Sequence, residues 1–231
     1  MPVVLFELGK VWWSLQLCKE AVASFDKAIE IEGKNRDFWF YRGLVLIQCG
    51  SQDAVRASWE RAMSVEPDDW EFWYKQGIFQ ANSQSDEPAI CCFDLALQIQ
   101  PNNAELWHYR GFLLGKAGPA EEAISSYDRA LELTPNDCNI WDNRASALVT
   151  LGRYQEAIDN LDKTIEFKPK NAYAYYRKAW IYALQSNVEL SLENLQRAIE
   201  LKPKRYRELA KTDADFDGIR GDVRFQKLLL G

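Results

Sequence analysis

The sequence predicts an all-α fold assembled as a linear array of helical hairpins, and three spacings predict it. Prolines stand at Pro67, Pro101, Pro135, Pro169 and Pro203, 34 residues apart each time. Tryptophans stand at Trp39, Trp73, Trp107 and Trp141 with the same interval. Small residues follow four places later, at Gly43, Gly77, Gly111 and Ala145. A period of this length is one supersecondary unit, two helices and a turn, which must stack on its neighbours to bury its apolar face.

Six units begin at residues 2, 36, 70, 104, 138 and 172, and they fill 2–35, 36–69, 70–103, 104–137, 138–171 and 172–205 without an insertion or deletion. The clearest unit is Ala104 to Asp137. Trp107, Gly111 and Leu114 lie at i, i+4 and i+7 on one face of its first helix, where the glycine lets a partner helix approach closely. Ala123, Tyr127 and Ala130 form a small–large–small stripe on the second helix, Gly118-Pro119 supplies the turn, and Pro135 ends the unit. Asp69, Asn103, Asp137 and Asn171 follow the prolines as caps for the next helix. The end units depart from the pattern. The first has Leu5 for the tryptophan and an apolar opening helix (Val3, Val4, Phe6, Leu8, Val11, Trp12, Trp13); the last has Tyr175, Ala179 and Ser191 at the marker positions.

This pattern resembles the tetratricopeptide repeat (TPR) family, whose signature is W-x2-L-G-x2-Y, then A-x3-F, then a proline. The resemblance covers residues 2–205, and it implies a right-handed superhelix whose inner wall is lined by the first helices. Residues 206–231 resemble the short helical tails that close many bacterial TPR proteins. That tail also imitates an EF-hand loop at Asp213, Asp215, Asp217 and Gly218, but Arg224 stands where a bidentate glutamate belongs, so capping is the expected role.

Composition excludes several functions. The net charge is −6 from 28 basic and 34 acidic residues, which argues against a nucleic-acid binder. The charge is unevenly spread: residues 1–103 carry 9 basic and 15 acidic side chains, whereas residues 168–231 carry 13 and 8. No C-x-x-C occurs among the five cysteines and there is one histidine, so no metal site and no cofactor are expected. The lone His108 cannot complete a catalytic triad, and the glycines follow the packing period and form no phosphate loop, so no enzyme is expected. No stretch is long and apolar enough to span a membrane, the N-terminus does not read as a signal peptide, and a cytoplasmic location is expected.

In the TPR family, ligands touch the second, fifth, sixth, ninth, twelfth and thirteenth positions. Fifth positions here include Phe40, Tyr74, His108 and Tyr176; ninth positions include Leu44, Ile78, Phe112 and Trp180, where asparagine is usual in the family. Four residues apart on a helix, these form apolar pairs. They line a groove for a peptide or partner protein, or they pack against neighbouring first helices; the residues alone leave both open. Arg207 and Lys211 fall where related domains place the cations that hold an acidic chain terminus, but Asp142, Ser146 and Arg177 replace the Lys and two Asn that this clamp also needs; the weaker expectation is that Arg177, Arg207 and Lys211 together take an acidic segment or chain terminus. Two other functions stay open: a homo-oligomeric scaffold joined through the apolar first helix, or a regulatory region of a larger enzyme or signalling protein.

Overall fold

The computed structural model describes residues 1–50 and 52–230, all helix and turn. The first helices of the hairpins are α1 (Pro2–Ser14), α3 (Arg36–Cys49), α5 (Trp70–Asn82), α7 (Ala104–Ala117), α9 (Cys138–Thr150) and α11 (Ala172–Leu184). Each pairs with the helix that follows it: α2 (Cys18–Ile31), α4 (Gln52–Val65), α6 (Asp86–Ile99), α8 (Ala120–Leu133), α10 (Tyr154–Phe167) and α12 (Val188–Leu201). The chain then ends in α13 (Pro203–Thr212), a 3-10 turn (Ala214–Ile219) and α14 (Val223–Leu230). Two compact units result: residues 1–101 hold three hairpins, and the remainder holds three hairpins and the terminal helices.

Local chemistry starts the helices. Asn35, Asp69, Asn103, Asp137 and Asn171 each accept a backbone N–H of the first turn through the side chain, as at Asp69 Oδ1 with Phe72 N, 3.0 Å. Two of the periodic tryptophans pin the preceding turn: Trp39 Nε1 donates to the Gly33 carbonyl and Trp141 Nε1 to the Pro135 carbonyl, both at 2.8 Å. Pro203 departs from the other periodic prolines. It opens α13 as a first-turn residue one place after Lys202, because its fixed φ and missing N–H suit that position.

Within a hairpin, a small residue faces a large one sixteen places later. A Cβ built on Gly43 would lie 2.3 Å from Trp59 Nε1, and one on Gly111 would lie 2.8 Å from Tyr127 Cε1. The fifth and sixth hairpins carry alanine at this place, Ala145 and Ala179, and there the partner position holds Leu161 and Leu195 instead of a ring. Ring size and backbone approach are traded against each other so that the interior stays filled.

Between hairpins, a ladder of polar contacts ties three successive helices. In the first unit Arg42 of α3 reaches back to Asp26 of α2 (2.6 Å) and forward to Ser58 of α4 (2.7 Å). In the second, Arg144 joins Asp128 (2.7 Å) and Asn160 (3.0 Å), and Lys178 joins Asp162. Cation and acid stand sixteen residues apart in every rung.

The C-terminal helices close the second unit. Tyr206, Ala210, Phe216, Ile219 and Phe225 are buried in one cluster with Tyr176, Ala179, Leu195 and Ile199. In the Asp213–Asp217 segment, Arg220 donates to Asp217 and to the backbone carbonyl of Asp213 at 2.7 Å each, and Asp213 accepts the Tyr176 hydroxyl. These aspartates are built into the closing turn.

Candidate functional site

Five of the eight apolar positions expected on a common wall keep some exposure, and the other three are sealed. On α3, Phe40 and Leu44 are 0% and 2% exposed, so they are core and not wall. The reason is local. Phe72 and Trp73 of α5 turn onto Phe40 at 5.6 and 5.8 Å between ring centres, with Tyr41 edge-on at 5.6 Å. Arg36 stacks over Phe72 at 3.6 Å while it pairs with Asp69 at 2.8 Å. On α5, Tyr74 and Ile78 are half-buried, and Phe79, the residue after the ninth position, is exposed. Phe79 carried no signal in the repeat pattern because its position is not a ligand position of the family.

In the second unit, His108 on α7 is half-buried, and its Nε2 lies 2.8 Å from Asn143 Nδ2 on α9. Burial pulls its pKa below the ordinary imidazole value, and the carboxylates of Asp137 and Glu105 oppose that shift only in part. One turn on, Phe112 is 50% exposed. On α11, Tyr176 is buried: its ring packs on Tyr206 at 5.0 Å and on Phe216 at 5.5 Å, because the C-terminal helices cover the face it occupies. Trp180 is half-buried against the same helices. Tyr173, at the second position of the last repeat, is exposed.

The three cations expected to hold an acidic ligand are not presented together. Arg177 is 5% exposed and donates to Asp142. Arg207 Nε donates to the Leu228 carbonyl at 3.3 Å, and Lys211 pairs with Glu208 at 2.8 Å. Spacing revealed the register of these cations but not the acids and carbonyls that tertiary packing sets beside them. No group of three metal-ligating side chains gathers among the described residues, and no described helix is long and apolar enough to cross a membrane.

Serial hairpins that expose side chains of their first helices define a helical-repeat scaffold of the interaction type. Models of the tetratricopeptide repeat match residues 104–137, 126–159 and 143–206, and a model of the protein prenyltransferase alpha subunit repeat matches residues 87–117. The chain carries tetratricopeptide repeats over residues 104–206. Among solved structures it is similar to YrrB, described as a TPR protein with an unusual peptide-binding site, at 25% identity over 81% of this chain and 97% of that one, TM-score 0.60. It shares its fold with PilW, a type IV pilus biogenesis factor (18% identity, 99% and 98% coverage, TM-score 0.54), and with MamA (15%, 85% and 95%, 0.51). No curated relative matches the chain.

Proposed function

We propose that the chain is a non-catalytic adaptor that captures a peptide or protein segment on the first-helix faces of its repeats. The observation that carries this reading is Phe112, a large apolar ring left half in water at a ninth position, one helical turn beyond the half-buried His108. Packing does not need a ring there, and a desolvated aromatic is an effective anchor for a partner. The likeness to YrrB, whose described feature is a peptide-binding site, supports the same reading. The five cysteines, none of them bridged, fit the cytoplasmic setting that belongs to this proposal.

Peptides selected from a displayed random library on the wild-type protein test it. They should lose at least tenfold in affinity for Phe112→Asn while the far-ultraviolet circular dichroism stays unchanged. Equal binding to both proteins refutes the assignment of Phe112.

A second reading rests on α1. Val3, Val4, Val11 and Leu15 are all more than half exposed, a larger apolar stripe than an isolated surface helix keeps. A second copy could cover it. The last hairpin is already covered by α13, the 3-10 turn and α14, so such pairing would join α1 to α1 about a two-fold axis and stop at a dimer. Light scattering across a concentration series should then show a dimer that Val4→Glu with Val11→Glu converts to monomer.

A further inference from the structure

Within the first unit the polar ladder breaks between α4 and α5, and a cleft opens beside the break. The position equivalent to Arg42 and Arg144 in the third hairpin is Gln76, and the acid sixteen residues before it is Glu60. Glu60 is exposed and has no cationic partner among the described residues. Between the second helices α4 and α6 lies a cavity of about 510 Å³, within the first unit. Its lining includes the buried apolar side chains Leu46, Trp59 and Leu95, and the exposed acids Glu60 and Glu87 stand there with the single base Arg56.

We propose that this cleft is a docking site for a cationic side chain, a lysine or arginine on a partner segment. The aliphatic stem would lie on Trp59, and the charged head would reach Glu60 and Glu87. Long cationic side chains pair an apolar stem with a polar head, which matches the apolar and acidic groups of this lining. Glu60 and Glu87 outnumber Arg56 in the lining, and residues 1–103 carry a net −6 (9 basic, 15 acidic), so the surrounding field steers the same sign of guest. The guest would supply in trans the cation that the missing rung lacks. The site lies on α4, α6 and the C-terminal end of α3, and it shares no residue with the Phe112 anchor proposed above.

The test uses three small probes on the full chain: phenethylamine, phenylpropionate and benzyl alcohol. The readout is the ¹⁵N-resolved indole N–H of Trp59, assigned by its loss in Trp59→Phe. Phenethylamine should shift that signal saturably, with a dissociation constant on the order of 1 mM for so small a ligand. Glu60→Gln with Glu87→Gln should weaken it at least fivefold, while Glu121→Gln, on α8, leaves it unchanged. Thermal melting of each variant confirms that the fold survives. Saturable shifts of similar size from the acid or the alcohol would assign the cleft to an anionic or purely apolar guest and overturn the proposal. An amine response that persists in the double glutamine variant would also overturn it.

Discussion

Arg177 on α11 holds Asp142 on α9 through one nitrogen: its Nη1 lies 2.8 Å from the carboxylate Oδ1 and 2.9 Å from the backbone carbonyl of the same residue. The arginine side chain is 6% exposed and the aspartate 20%. Burial pushes the Asp142 carboxyl up while Arg177 pulls it down, and burial is the stronger influence. The pair is therefore worth less than its geometry suggests, yet breaking it strands a buried cation. Asp142→Ala should cost about 3 kcal/mol in urea unfolding, and Asp142→Leu combined with Arg177→Met should recover most of that loss.

His108 makes stability depend on pH in the acid direction. Its folded-state pKa lies below the ordinary 6.5 because burial penalises the imidazolium. Between those two values the unfolded chain binds more protons than the folded one, so stability falls as pH falls through that window. The neutral ring accepts from the Asn143 amide through Nε2, 2.8 Å away, and protonation ends that acceptance. Unfolding free energies at pH 7, 6 and 5 should drop for the wild type and drop less for His108→Gln.

The small–large exchange in the hairpins predicts a compensated pair. Gly111→Ala alone would drive a methyl to 2.8 Å from the Tyr127 ring, which should destabilise by about 1–3 kcal/mol through overpacking. Adding Tyr127→Leu recreates the combination found at Ala145 and Leu161. The double variant should be more stable than Gly111→Ala by thermal melting, and a double variant less stable than both singles would refute the coupling.

The broken rung can be filled. Gln76→Arg places a cation in register with Glu60, as Arg42 is with Asp26 at 2.6 Å. The acid is exposed, so the gain should be only about 0.5 kcal/mol. The same substitution should weaken phenethylamine binding in the cleft beside Trp59. A stability gain with unchanged amine binding would separate the ladder from the cleft.

Repetition made much of the fold readable in advance. A proline, a capping Asn or Asp, a tryptophan and a glycine act within one or two turns of the chain, so each declares a helix end or a close approach without knowledge of the neighbours. The first helices accordingly begin at Pro2, Arg36, Trp70, Ala104, Cys138 and Ala172, 34 residues apart. Residues that share a register position do not share an environment. Leu44 and Phe112 are both ninth positions, yet one is 2% and the other 50% exposed. The aromatic residues of α5 bring Phe40 and its helix face into the core, and no equivalent cluster covers Phe112. Arg177 was legible as a cation, but only the packing of α9 against α11 set Asp142 beside it and withdrew it from any ligand. Helix position is a local property of the chain; exposure and charge pairing depend on which side chains arrive from other helices, and tertiary structure alone decides that.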